Sequence, residues 1–306
     1  METLYITHPA CHLHEMGVWH PESPNRLDAV SKQLLASDLA SHLHSHQARA
    51  ASREDILRVH TSQHLEYLHE KAPTQGYFSI DADTIMNAHT LEAAYHAAGA
   101  GLDAVDALMA GQMRQAFCSV RPPGHHASSD RAMGFCFFNN VAIAVAYALE
   151  KYPLQRVLIV DFDVHHGNGT EDIFAHDERV LMCGFFQHPY FPGSFHQPQA
   201  KNMLNIPMEA HTQADRILER FEKLCLPRIV AFEPELVFFS AGFDAHSDDE
   251  MGQLGLVEAD FSALTRMVMQ ATAKSAQGRV ISLLEGGYEL LSLGRSVEAH
   301  IRAMSA

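Results

Sequence analysis

The sequence predicts a single doubly wound α/β domain over residues 1–306, with a mainly parallel β-sheet flanked by helices. Three observations carry that reading. The apolar runs at 156–162 (RVLIVDF), 236–241 (LVFFSA) and 280–284 (VISLL) lack the in–out alternation of a half-solvated strand, as expected of strands covered on both faces. Segments of helical periodicity separate them, as successive βαβ units require. No low-complexity linker or fixed-period repeat interrupts the chain, and 306 residues at 47% hydrophobic can bury a sizeable core.

Taken in order, the first 75 residues read mainly as helix. Ser52-x-x-Asp55 has the form of an N-terminal capping signal, ahead of Ile56, Leu57, Val59, Leu65 and Leu68 at helical spacing. An Ala-rich helix is expected over 91–110, a short strand over 116–120 and a helix over 140–149. Strand 156–162 and a weaker strand at 180–186 follow, then a helix over 215–232. Strand 236–241, a helix over 258–274 and strand 280–284 complete the alternation.

Composition narrows the function. Lys+Arg total 22 against Asp+Glu 37, a net charge of −15. Such a chain is poorly suited to displacing phosphate counterions, which argues against a direct nucleic-acid partner and suits cationic ones. The 22 histidines prompt a search for a metal site, since imidazole is the commonest metal ligand. Cys11, Cys118, Cys136, Cys183 and Cys225 are sparse, odd in number and free of any CxxC spacing, so neither a disulfide framework nor a zinc ribbon is expected. The N-terminus lacks the basic and apolar regions of a signal peptide, and no apolar run approaches the ~18 residues of a membrane span. A soluble, cytoplasmic protein with no membrane partner is the expectation.

Four of the strands run into unusual turns. Val120 is followed by Arg121-Pro-Pro-Gly-His125-His126, and Val160 by Asp161-Phe-Asp163-Val-His165-His166-Gly-Asn168-Gly. Ala241 leads to Gly242-Phe-Asp244-Ala-His246, and Leu284 to Glu285-Gly-Gly-Tyr288. In a parallel sheet all four turns meet at the carboxyl edge, where doubly wound folds place their ligands. In extended chain Asp161, Asp163 and His165 share a face, and two buried carboxylates side by side are costly unless a cation neutralises them. Asp163 and His165, with Asp244 from the next strand end, make a three-ligand set of the kind that leaves a catalytic zinc an open position. A solvated DxDxHH turn is the competing reading, and convergence of four polar turns outweighs it. His125 and His126 are candidates for an acid–base pair beside the metal, and Tyr288 for an oxyanion donor.

These motifs resemble the zinc-dependent histone deacetylase family, in particular its class II branch and bacterial relatives. The match runs from His20-Pro-Glu-Ser-Pro-Asn-Arg26 through RPPGHHA, Gly134-Phe-Cys-Phe-Phe-Asn-Asn140, DFDVHHGNG and AGFDAH to EGGY, covering nearly the whole chain. The resemblance implies the arginase/deacetylase-like α/β fold, with zinc held by Asp163, His165 and Asp244. It implies that His125 and His126 handle proton transfers, that Tyr288 polarises the acyl carbonyl, and that Asp161 orients His125 and helps bind a structural potassium ion. Asn168 stands where class I members carry a second aspartate, leaving His126 a more weakly basic partner. Gly134, Phe135 and Phe191 match the walls of an acyl-lysine channel, Met251 its rim, and Arg26 an arginine near an internal cavity behind the metal. Asp81 and Asp83 lie in the loop where the family places a substrate-binding carboxylate, and the sequence leaves open which of them serves, if either, against a solvated loop carboxylate. Gly184-Phe185-Phe186 departs from the family pattern and removes a hydroxyl from the potassium site.

The activity so implied is removal of acetyl or other acyl groups from lysine side chains of proteins or peptides. Three alternatives stand beside it: an acetylpolyamine deacetylase, arginase-like chemistry on two manganese ions, and a binding module without activity. The second needs a more carboxylate-rich ligand set, and the third sits poorly with the presence of Tyr288.

Overall fold

The computed structural model describes residues 2–193 and 200–305. Its strands, in chain order, are β1 (Thr3–Thr7), β2 (Leu43–Gln47), β3 (Tyr77–Ser79), β4 (Ile85–Asn87), β5 (Gln115–Cys118), β6 (Val157–Asp161), β7 (Val180–Gln187), β8 (Met203–Met208), β9 (Leu236–Ala241) and β10 (Val280–Leu284). Eight of them form one sheet in the order β2-β1-β5-β10-β9-β6-β7-β8, with every neighbouring pair parallel. The remaining two, β3 and β4, make a small antiparallel hairpin. The doubly wound α/β fold expected from the sequence is the fold observed.

The four strands that carry polar turns, β5, β10, β9 and β6, are consecutive at the centre of the sheet. Their carboxyl ends are in register, with Asp161 opposite Ser240 and Leu284 opposite Ala241. Each is buried along its whole length, which explains the absence of alternation. Beneath them Phe162, Phe239, Phe243 and Phe261 pack as one aromatic cluster, each fully buried ring contributing about 1.5–3 kcal/mol. His300, from helix Leu290–Met304, is buried against Phe117, Phe162, Phe239 and Phe243. Its Nδ1 lies 2.7 Å from the Thr265 hydroxyl, which itself donates to the Phe261 carbonyl, and its Nε2 lies 2.9 Å from the Ser282 hydroxyl. Burial pushes His300 down to about 3.

Several expected elements differ. The first 75 residues hold β1 and β2 as well as helices. At five residues β1 is too short to show periodicity, and β2 (LHSHQ) is a mostly exposed, polar edge strand. The capping box at Ser52 forms, with Ser52 accepting from the Asp55 N–H and Asp55 from the Ser52 N–H, but its helix ends after one turn at Ile56. A second helix, Ser62–Lys71, starts afresh under a Thr61 cap. The helix expected over 215–232 is two, Ala214–Leu224 and Leu226–Phe232, broken at Cys225 ahead of Pro227. Strand β8 was not anticipated. It contains Pro207, a residue confined to sheet edges, and an edge is where β8 lies.

Candidate active site

The turn after β5 is built on buried ionic contacts. Arg121, fully buried, pairs with the equally buried Glu22 and donates to the carbonyls of Cys11 (2.8 Å) and His14 (3.0 Å). Glu285, at the end of β10, accepts the backbone N–H groups of Gly124 (2.6 Å) and His125 (3.1 Å), so one strand end holds the turn of its neighbour. Burial, against the opposing influence of His125, raises Glu285 to about 7.

This turn places the two histidines side by side, with ring centroids 4.0 Å apart and different partners. His125 Nδ1 lies 3.0 Å from Asp161 Oδ2, and His126 Nδ1 lies 2.8 Å from Asn168 Oδ1. An amide oxygen only accepts, so His126 carries its proton on Nδ1 and presents an unprotonated Nε2. The two environments drive the pair apart. Burial and the neighbouring His125 and His165 hold His126 well below the usual range. Burial also opposes charge on His125, but Asp163 and Asp161 outweigh it and hold that imidazole well above.

Asp163, His165 and Asp244 come together as expected, all buried, with one potential ligand atom from each within 4.8 Å of the others. Among the described residues no other group of three such side chains converges in this way. His165 Nδ1 lies 3.0 Å from Asp163 Oδ1 and 3.2 Å from Asp244 Oδ2. The backbone orients the carboxylates, through Gly286 N–H to Asp163 Oδ2 (2.9 Å) and Val164 N–H to Asp244 Oδ1 (2.8 Å). Gly286 has to be glycine, because a Cβ there would lie 2.1 Å from Asp244 Oδ2.

The donors fit a divalent ion. Asp244 Oδ2 is buried and accepts no well-aligned hydrogen bond, with His165 Nδ1 3.2 Å away, and two carboxylate oxygens with one imidazole nitrogen suit a first-row divalent metal. Protein groups alone balance the charge by taking up protons. Burial and Asp163 push Asp244 up to about 7, while the two carboxylates overcome burial and raise His165 to about 10. The potassium donors fit less well. Asp161 Oδ1 accepts the Asp163 N–H (3.1 Å). Gly184 lies opposite Asp161, so close that a Cβ would stand 2.0 Å from the Asp161 carbonyl oxygen. A serine hydroxyl has no room at that position.

Above this group a cavity of about 170 Å³ opens to solvent, lined by Gly134, Phe135, Tyr190, Phe191, Met251, Tyr288 and Asp83 together with His125, His126 and His165. Gly134 adopts φ 56° against His126, where a Cβ would sit 2.5 Å from the ring. Phe135 holds the same left-handed region at φ 68°, a strain of order 1 kcal/mol kept at the channel wall. Of the two rim aspartates, Asp83 reaches the cavity, while Asp81 Oδ1 accepts the N–H groups of Asp83 and Thr84 and is used up in the hairpin tip. A wider groove of about 600 Å³ beyond Asn168 contains none of the metal group.

Tyr288 is half-buried beside Phe135, with centroids 5.9 Å apart, and burial together with Asp244 holds its phenol well above the usual range, hence protonated. Arg26 lies beneath the turn that carries Tyr288. It does not line the channel. Its Nε donates to the Gly287 carbonyl (2.6 Å), its NH2 to that of Glu285, and its guanidinium lies 4.9 Å from the Tyr288 ring centroid, so it braces the turn from below. Asp249, only 4% exposed, was missed by sequence reasoning. Its Oδ2 accepts the N–H groups of Tyr288 (2.6 Å) and Glu289 (3.0 Å), and its Oδ1 that of Met251 (2.9 Å). Glu22, Tyr190 and the role of Glu285 were missed as well.

Comparison with known proteins accords with this geometry. A family model described as Histone deacetylase domain matches residues 20–304. An uncharacterized protein of Synechocystis sp. is 38% identical, with 93% of each chain covered. A histone deacetylase-like amidohydrolase of Pseudomonas aeruginosa is 34% identical over 88% of this chain and 72% of its own length. The crystal structure of the HDA15 HD domain superposes with a TM-score of 0.92 at 32% identity, covering 99% of this chain and 90% of that one. With the sheet order, the buried Asp163–His165–Asp244 group and the tandem histidines in place, this chain belongs to the histone deacetylase family.

Proposed function

We propose that this hydrolase is a zinc-dependent deacylase acting on acetyl-lysine, or other acyl-lysine, side chains of proteins and peptides. The carrying observation is the meeting, at the end of one narrow apolar-walled cavity, of a metal-competent group, one of whose carboxylate oxygens accepts no well-aligned hydrogen bond, with a neutral histidine and a protonated tyrosine. Asp163, His165 and Asp244 would hold the zinc. When bound, zinc would lower the pKa of water in the site and polarise the acyl carbonyl.

The chain's own residues supply the rest. His126, its Nδ1–H fixed on Asn168, offers Nε2 as general base to the attacking water and then returns that proton to the lysine amine as the C–N bond breaks. His125, its Nδ1 fixed 3.0 Å from Asp161 Oδ2, stands beside His126 as the second group that handles protons in the site. Tyr288 donates its hydroxyl to that oxyanion, a contribution of ~3 kcal/mol for one such donor. Phe135 and Phe191, with Gly134 packed against His126, flank the lysine methylenes. Met251 closes the rim, and Asp83 accepts backbone N–H groups of the substrate. Structural potassium is left out of the proposal because Gly184 removes a donor.

An acetylpolyamine is the second substrate reading, favoured by the rim carboxylate Asp83 and the charge of −15. Against it, the wall residues Gly134, Phe135 and Phe191 and the rim residue Met251 offer no partner to an extra ammonium. Zinc content by elemental analysis, with kcat/KM for an acetyl-lysine peptide and N8-acetylspermidine side by side, tests the proposal. About one zinc per chain and a preference for the peptide are expected. A tenfold preference for the polyamine, ~1.4 kcal/mol in the opposite sense, would withdraw the lysine assignment. A cytoplasmic location is proposed with it, on the five cysteines all being buried and unpaired.

A further inference from the structure

The sole tryptophan of the chain is the most exposed large apolar side chain among the described residues. Trp19 is 95% exposed, and Val18 beside it 85%. A buried indole contributes more apolar contact than any other side chain, so a lone one held in water calls for a physical account. Scattered surface hydrophobics are ordinary, but the position of this pair is not arbitrary. His20 N–H donates to the Gly17 carbonyl (3.1 Å), closing a turn in which Val18 and Trp19 are the two corner residues. Gly17, at φ 120°, permits it.

The turn is fastened to the mouth of the cavity by its last residue. His20 Nδ1 accepts the Glu22 N–H (3.1 Å), its Nε2 lies 3.1 Å from the Asp83 carbonyl oxygen, and its ring stands edge-on to Phe135 with centroids 4.6 Å apart. Pro21 lines a shallow depression that shares Met251 and Tyr288 with the cavity. The residues following Trp19 are therefore both at the entrance, and its Cα is ~3.8 Å from that of His20. The same histidine ties the turn to the tip of the β3–β4 hairpin, where Asp83 offers a carboxylate at the rim.

We propose that the Val18–Trp19 turn is a docking element for the polypeptide that flanks the acyl-lysine, with Trp19 covering the neighbouring residue while Asp83 receives backbone N–H groups. The occupant is a peptide. An acidic rim beside an exposed indole complements a chain carrying N–H donors and basic or apolar side chains, whereas an isolated acylamine has nothing to lay across the turn. This inference rests on the deacylase reading and deepens it, because Trp19 becomes the residue that separates polypeptide from small-molecule substrates.

The zinc-loaded enzyme and its Trp19→Ala variant are compared on an acetyl-lysine nonapeptide, on Nε-acetyl-lysine amide and on N8-acetylspermidine. The ratio of kcat/KM for the peptide to that for the single-residue amide falls at least fivefold in Trp19→Ala, and Trp19→Phe restores most of it. In a Tyr288→Phe background saturated with uncleaved nonapeptide, tryptophan emission, which reports Trp19 alone, shifts to shorter wavelength. An unchanged ratio with both substrates hydrolysed overturns the docking role and leaves the deacylase reading standing. A loss as large with N8-acetylspermidine as with the peptide, or emission already blue-shifted in a free enzyme that sediments as a dimer, also overturns it. Absence of hydrolysis of both lysine substrates by the wild-type zinc enzyme overturns the deacylase reading, and the docking role with it.

Discussion

Replacing Asp249 by asparagine tests how Tyr288 is held and the role proposed for it. The carboxylate receives three N–H groups from two loops, two on Oδ2 from Tyr288 and Glu289 and one on Oδ1 from Met251. An amide has one accepting oxygen. If that oxygen faces Tyr288 and Glu289, the NH2 group confronts the Met251 N–H donor to donor, leaving a buried group unsatisfied at about 1–3 kcal/mol. The two remaining bonds also pass from charge-assisted to neutral, together losing ~1 kcal/mol. Asp249→Asn should therefore lower unfolding free energy by about 2–4 kcal/mol in urea denaturation of the zinc-loaded enzyme. Its catalytic effect has a ceiling, because what acts through Tyr288 cannot exceed what the Tyr288 hydroxyl contributes, ~3 kcal/mol or on the order of 10²-fold. A fall in kcat of about 10-fold is expected. The deciding measurement is a double-mutant cycle, in which Asp249→Asn/Tyr288→Phe should have a kcat within a few fold of Tyr288→Phe alone. Fully additive losses would refute the reasoning, since Asp249 would then act independently of the tyrosine.

Three further outcomes follow from the same site and its surroundings. His165→Ala should lose zinc and activity together, and a folded variant retaining near-full zinc by elemental analysis would sink the ligand assignment. Tyr288→Phe should lower kcat by on the order of 10²-fold with a modest change in KM, and a raised KM at constant kcat would remove Tyr288 from the oxyanion role. His300 stays neutral in the fold down to about 3 but takes up a proton near its ordinary value once unfolded. Its contribution to stability is therefore complete above pH ~6.5 and is lost as pH falls below that, by about 2 kcal/mol at pH 5. His300→Asn should shed that share of the fall in urea-measured stability between pH 7.5 and 5, and an identical fall in both proteins would rule it out.

The centre of the molecule was legible in the sequence and the margins were not. β6, β9 and β10 announced themselves as unbroken apolar runs because both faces are covered, and the polar residues beyond them followed from parallel topology alone. β2 and β8 lie at the sheet edges, where solvent and a proline dilute the pattern. The metal group and tandem histidines were readable because their chemistry resides in their own side chains. Asp249 and Glu285 were not, because they act on backbone N–H groups, which leave no trace in residue types. Asp249 stands in a run, Asp248-Asp249-Glu250, that reads as solvated surface. Arg26 was recognised as a residue of the site, yet its targets, two carbonyls of the Gly-Gly turn, could be found only in three dimensions.

The strand order also dictates when the site can exist. β9 and β10, which leave a ribosome after the other six strands of this sheet, are the ones that fill its middle between β5 and β6. Until they arrive, β2-β1-β5 and β6-β7-β8 are two three-stranded pieces with raw inner edges, each exposing backbone donors and acceptors to any passing chain. Asp163 and His165 are made early, but Asp244 and Tyr288 come on the closing strands. The growing polypeptide thus cannot assemble its reactive centre before the two halves are joined. A fragment that ends before β9 has Asp163 and His165 but lacks both Asp244 and Tyr288.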